Sequence, residues 1–145
     1  NLLLVYIGGK HSASEILKAQ SKSIANGDNF KQQRRMVALA YNLREALHHN
    51  NLDDFGHILH EGWLLKRSLS EGISNNVIDE IYEEGLKAGA IGGKLLGAGG
   101  AGFILFYCPK ERQDSFRAAM TKYPETRFSF EHTGSQVIYV GEKLF

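Results

Sequence analysis

The sequence predicts an α+β domain, an antiparallel sheet with helices packed on one face. Three observations carry this. An apolar run opens the chain and is followed by a long stretch of helical periodicity; the period changes after Gly93 to strand, turn and strand; and the tail alternates apolar with polar residues.

Asn1 to Ile7 is a short apolar run closed by Gly8-Gly9, which reads as a buried strand and its turn. Ser12 or Ser14 then caps a helix with Glu15 in its first turn and Ile16, Leu17 and Ile24 on its apolar face, ended by Asn26-Gly27. From Asp28 to near Asn50, Met36, Ala40, Leu43 and Leu47 recur at helical spacing, with Arg34, Arg35, Arg44 and Glu45 on the polar side. Asn50-Asn51 breaks this longest helix. Leu52, Phe55, Leu59, Trp63 and Leu69 make a second stripe running to Gly72, and Trp63 belongs to its core side. Asn76 and Asp79 open a third helix through Ile78, Ile81, Tyr82 and Leu86, stopped by Gly89. Consecutive helices of this kind pack antiparallel.

Lys94-Leu95-Leu96 and the run from Phe103 to Cys108 read as strands on either side of a glycine loop, the second apolar enough for a central place in the sheet. Pro109 suits the first position of a further helix, which turns Phe116, Ala119 and Met120 inward and ends near Tyr123-Pro124. The tail is a hairpin: Arg127 to Glu131, a turn at Thr133-Gly134-Ser135, then Val137 to Val140.

The 145 residues suit a single domain over 1–145 with one core. Lys plus Arg number 17 against 16 Asp plus Glu, a net charge of +1, so the chain has no electrostatic footprint for nucleic acid or an anionic membrane. The single cysteine, Cys108, cannot form an internal disulfide and fits a reducing, cytoplasmic compartment; in an apolar strand it is inert rather than nucleophilic. Leu2 to Ile7 is too short to span a bilayer and lacks a basic leader. The chain enters a strand at once from Asn1, with no initiator Met, and is expected to be a piece whose upstream part has been removed.

Gly97-Ala98-Gly99-Gly100-Ala101-Gly102 spells GxGxxG. A dinucleotide fingerprint needs a helix to follow, because the pyrophosphate sits on that helix's N-terminus; here a strand follows. A P-loop fails too, since Ala88 stands where its first glycine belongs and Leu95 where its Mg²⁺-ligating hydroxyl belongs. Glycine content alone points first to a loop packed on the domain's own helices, and second to one whose bare N–H groups face a phosphate or a phosphate-carrying loop.

The order of segments adds to this. The helix end Gly89-Ala90-Ile91-Gly92-Gly93-Lys94-Leu95-Leu96 running into Gly97-Ala98-Gly99-Gly100-Ala101-Gly102-Phe103 resembles the third signature segment of the GHMP small-molecule kinases. Leu59 to Lys66, Gly72-Ile73-Ser74-Asn75 and Ile78 to Tyr82 resemble the sugar-phosphate branch that acts on D-glycero-D-manno-heptose 7-phosphate. The resemblance implies a ferredoxin-like C-terminal domain of a two-domain kinase that transfers the γ-phosphoryl of ATP, with Mg²⁺, to an anomeric hydroxyl. It implies that the main nucleotide loop and the catalytic carboxylate lie in an N-terminal domain of the same polypeptide, so no catalytic residue is assigned to this chain. The stretch alone is then expected to be inactive. The wider family has two adjacent glycines where this chain has Ala101-Gly102; if position 101 needs positive φ, alanine is disfavoured there.

Lys94 at the loop entrance can neutralise a phosphate or be a solvated strand-edge lysine. Lys10 and His11 follow the first strand, where related kinases carry a basic residue; solvation is the commoner fate of a turn cation. Glu61 and Lys66 stay open as substrate contacts. His57 and His60 lack the HExxH order and a third ligand, so no metal site is assigned, and His48-His49 complements a helix C-terminus. The competing expectations are a non-catalytic ferredoxin-like module that binds a small metabolite or pairs with its own copy, and a kinase of the same family with another acceptor. Self-association through a strand edge or uncovered face is a further expectation.

Overall fold

The computed structural model describes residues 1–9, 12–25, 27, 29–139 and 141. In chain order the elements are β1 (Leu2–Gly8), α1 (Ala13–Ala25), α2 (Phe30–His48), α3 (Leu52–Arg67), α4 (Asn76–Lys87), β2 (Gly92–Leu95) and β3 (Gly102–Tyr107). A 3-10 turn (Lys110–Arg112), α5 (Gln113–Ala119) and the two-residue β4 (Glu125–Thr126) follow. The sheet order is β2-β3-β1-β4, with every neighbouring pair antiparallel. This is the split β-α-β arrangement of a ferredoxin-like α+β domain, and the apolar β3 takes an inner position.

Register explains which face is covered. Leu3 pairs with Phe106, Val5 with Ile104, and Ile104 with Leu95 across the other edge, so these residues share one face and all are buried. Leu4 and Leu105, paired on the opposite face, are half-buried. An aromatic ladder ties the helices to the covered face. Trp63 of α3 lies 6.0 Å from Tyr82 of α4, Tyr82 5.7 Å from Phe106 of β3, and Phe106 5.2 Å from Phe116 of α5. Burial of four aromatic rings in one stack makes this the energetic centre of the domain.

α2 and α3 pack antiparallel: Arg35, early in α2, lies beside Glu61, while Ala46, late in α2, shares a cleft with Asp54 and Ile58. The buried side of α2 differs from the expected stripe. Leu39 and Ala46 are buried and Met36 and Leu43 half-buried, while Ala40 and Leu47 face outward. A helix packed on one neighbour needs a narrow seam, and spacings of three, four and three fit it better than the wider stripe that includes Ala40 and Leu47. In α1 Ile16 alone of the expected apolar residues is buried; Leu17 and Ile24 are exposed. α3 stops at Arg67 rather than running to Gly72, although Leu69 still packs on the core. Ala119 is exposed, leaving Phe116 and Met120 as the inward residues of the last helix and its cap. Asn75, one residue before the expected start, caps α4 by accepting from the Ile78 N–H at 3.0 Å.

The tail hairpin is a correction. β4 meets β1 only at Leu4–Thr126 and Val5–Glu125, and no ladder forms among the described residues beyond it. Phe130 is 69% exposed and Ile138 94%, so the alternation has no buried face to fill, and alternation without burial does not hold a register. Val140 lies outside the described residues, as do Lys10 and His11. Among the described residues no helix is long and apolar enough to cross a membrane.

Candidate functional site

The site is built from two glycine segments brought together by the β1–β3 pairing. Gly8 pairs with Gly102 across a bulge after Tyr6, and Gly8 and Gly9 turn with φ of +69° and +89°. The opposing loop links β2 to β3, with positive φ at Gly97, Gly99, Gly100 and Gly102. Gly99 shows why a side chain is excluded: a Cβ there would lie 2.7 Å from the Cα of Ile73. The next residue seals that approach, since the Gly100 N–H donates to the Ile73 carbonyl at 2.9 Å. The loop is thereby pinned to the connection between α3 and α4, whose Ile73 is fully buried.

Ala101 does not adopt positive φ, so its alanine carries no left-handed strain. Its methyl occupies the space a side chain at Gly9 would need, the separation being 2.9 Å. The missing second glycine of the loop is thus matched by a glycine on the other segment. Ala98 packs partly on the core.

Between the two segments and the start of α4 lies a cleft of about 570 Å³. Its lining combines Gly8, Gly9 and Gly100 from the two glycine segments, Asn75, Asn76 and Val77 from the start of α4, and the apolar residues Ile7, Ile78 and Ile81. The first N–H groups of a helix have no intrahelical acceptor. Asn75 takes that of Ile78, leaving those of Asn76 and Val77 beside the cleft. Backbone donors beside bare glycine suit an anionic or hydroxyl-rich ligand. The cleft of about 700 Å³ between β4 and the 3-10 turn is lined by neither glycine segment.

The charged candidates fall in two places. Lys66, in the last turn of α3, donates to the Gly97 carbonyl, and Lys94 of β2 lies near enough to repel it. Burial pushes the Lys66 amine below the usual lysine range, and the Lys94 charge lowers it further. Glu61 is elsewhere: Arg35 of α2 donates to both of its oxygens, at 2.6 and 3.1 Å, in an exposed pair. Lys10 lies outside the described residues. Nδ1 of His60 meets the Tyr82 hydroxyl at 2.8 Å, and that hydroxyl donates to the Gly93 carbonyl at 3.2 Å. With the phenol proton committed to Gly93, His60 carries its proton on Nδ1 in this bond. Burial keeps Tyr82 protonated far above neutral pH. His60 and Tyr82 therefore brace β2 against α3 and α4 rather than lining the cleft.

Gly9, Asn75 and Asn76 were not singled out as site residues by sequence reasoning. The Gly8-Gly9 doublet after an apolar strand was a usable signal, but its partner Ala101 is remote in sequence.

A split β-α-β sheet with a glycine loop between an edge strand and an inner strand, docked on the helix layer, defines a ferredoxin-like domain with a backbone-lined cleft. Residues 43–126 match the family described as GHMP kinases C terminal, and the chain belongs to that family. It is 31% identical over 127 residues to the bifunctional fucokinase/GDP-fucose pyrophosphorylase of Arabidopsis thaliana, covering 86% of this chain and 12% of that protein. It is 31% identical over 83 residues to the D-glycero-alpha-D-manno-heptose 7-phosphate kinase of Campylobacter jejuni, covering 57% and 24%. Among solved structures, the Methanococcus jannaschii mevalonate kinase superposes with a TM-score of 0.67 at 26% identity, over 86% of this chain and 38% of that one. The L. major mevalonate kinase in complex with R-mevalonate gives 0.71 at 21% identity, over 83% and 37%. The chain thus spans a minor part of each of these proteins.

Proposed function

We propose that this chain is the C-terminal domain of an ATP-dependent sugar kinase that phosphorylates a heptose 7-phosphate at its anomeric hydroxyl, working with an N-terminal domain of the same polypeptide. The observation that carries the reading is the convergence of Gly8-Gly9, Gly100 and the α4 N-terminus on one cleft. Family membership and the two sugar-kinase relatives support it. Phosphoryl transfer asks the protein mainly for positioning and charge stabilisation; with the Gly100 N–H committed to Ile73, the donors beside the cleft are the N–H groups of Asn76 and Val77, and bare glycine backbone opposite them lets a phosphate approach.

In this reading the glycine loop, Gly97 to Gly102, stands beside the transferred phosphoryl and holds the neighbouring phosphate-binding segment by backbone contact. The Gly100–Ile73 bond keeps that backbone from reorganising when charge develops. No group of three or more His, Cys, Asp or Glu side chains gathers among the described residues. Mg²⁺ and the base that activates the hydroxyl belong, in this reading, mainly to the N-terminal domain, as the family resemblance implies.

The test uses the full-length protein carrying this chain, assayed for ADP release with D-glycero-D-manno-heptose 7-phosphate, fucose and R-mevalonate. The expected result is the highest kcat/KM on the heptose phosphate. A preference for mevalonate would move the acceptor to the class of the solved neighbours, and no phosphorylation of any acceptor would refute the kinase reading.

A further inference from the structure

Lys66 and Lys94 are unusual among the cations of this chain. Both are half-buried: Lys66 reaches the Gly97 carbonyl from α3, Lys94 stands in β2 three residues before Gly97, and among the described residues neither has a carboxylate within ion-pair distance. Arg67, the other half-buried lysine or arginine among the described residues, pairs with Asp79 at 3.0 Å. The neutral carbonyl of Gly97, which accepts from Lys66, leaves a whole positive charge uncompensated. Like charges held half-buried at one loop are solvated less well than free ones, and an anion between them relieves that cost.

We infer that Lys66 and Lys94 form a binding site for a phosphate group at the mouth of the glycine loop, gripping it between the last turn of α3 and strand β2. Phosphate is the anion that fits: lysine ammoniums act on it as point charges with several donors, and two of them match a dianion. The Gly97 carbonyl is a place-holder. It takes the Lys66 ammonium at a glycine whose φ is +74° and whose Cβ position meets nothing within 4 Å. Burial and the neighbouring charge depress the Lys66 amine, and a bound dianion reverses both effects. The same chemistry is offered by the phosphate of a phosphorylated acceptor and by the phosphates of a nucleotide; which of them occupies the site rests on the kinase reading above, while the anion site itself does not.

The experiment is calorimetric titration of the full-length protein with inorganic phosphate and pyrophosphate, in wild type, Lys94→Met, Lys66→Met and, as a control, the exposed Lys87→Met. Each of the first two substitutions is expected to weaken binding by about tenfold or more, from the loss of one charge-assisted contact, and Lys87→Met to leave it unchanged. Lys66→Met also removes the contact to Gly97 and can disturb the loop; Lys94→Met has no such contact and decides the matter if the other variant unfolds. Binding by Lys94→Met equal to wild type, or no anion binding by wild type at millimolar concentration, overturns the inference. Steady-state kinetics then separates the sources. A raised KM for the phosphorylated acceptor with an unchanged KM for ATP places the acceptor's phosphate there, and the reverse places the nucleotide's. Lysine-dependent anion binding in a protein that phosphorylates nothing leaves the anion site standing and removes the kinase reading.

Discussion

Gly99→Ala and Gly97→Ala put the same methyl into the same loop, and the structure predicts different costs. Both positions have positive φ, +130° and +74°, so each alanine carries left-handed strain of about 1–2 kcal/mol. At Gly97 nothing lies within 4 Å of the added atom. At Gly99 it would sit 2.7 Å from the Ile73 Cα and 2.8 Å from the Ile73 carbonyl oxygen, which are backbone atoms that no rotamer change can move aside. The loop must lift, and the Gly100 N–H to Ile73 bond of 2.9 Å is lost with it. An unmade bond to a buried group costs about 1–3 kcal/mol. The variants should therefore differ by that amount, or by roughly 3–9 °C in melting temperature for a domain of this size. Thermal melts followed by circular dichroism measure it. Equal melting temperatures for the two variants would refute the claim that Gly99 is required by close approach rather than by backbone conformation alone.

Three further outcomes follow from the same contacts. Tyr82→Phe removes the hydroxyl that bridges His60 and the Gly93 carbonyl, and should lower stability in urea by about 1–3 kcal/mol without altering the fold. Arg117 donates to both oxygens of Glu125 and holds its carboxyl below the usual glutamate range. Because the folded value is the lower one, this stabilisation is present above the ordinary glutamate pKa and lost as pH falls through the depressed one; Arg117→Met should melt with a flatter pH dependence between about pH 5 and pH 3. Cys108 is fully buried and burial pushes its thiol up, so an aromatic disulfide reagent should label the native protein at least about a hundredfold more slowly than the unfolded chain. Rapid native labelling would show that β3 opens freely.

Most elements were legible because their signals are local. The 3.6-residue period of α3 and α4 and the apolar run of β3 are carried by neighbours in sequence; α4 and β3 fall within a residue or two of their expected places, and α3 starts where expected but ends at Arg67, short of Gly72. The failures have a common cause. The seam of α2 depended on which neighbour it met, and the tail alternates as a strand would but finds no partner, so periodicity without a known surface predicted too much. At the site, the loop's glycines were visible, but Glu61 and Lys66 looked equivalent on one helix. Five residues along a helix rotate a side chain by about 140°, and this sends Glu61 to Arg35 and Lys66 to Gly97.

The sequence by itself determined the polarity of the glycine loop, strand before and strand after, and with it the exclusion of a dinucleotide fingerprint and a P-loop. It could not say which backbone each glycine meets. That Gly99 rests on Ile73, that Ala101 fills the space left by Gly9, and that two lysines from different elements come together by the glycine loop was decided by tertiary structure alone. The reason is physical: a backbone conformation is a property of adjacent residues, whereas close approach and charge convergence are properties of surfaces that meet only after the β1–β3 register is set.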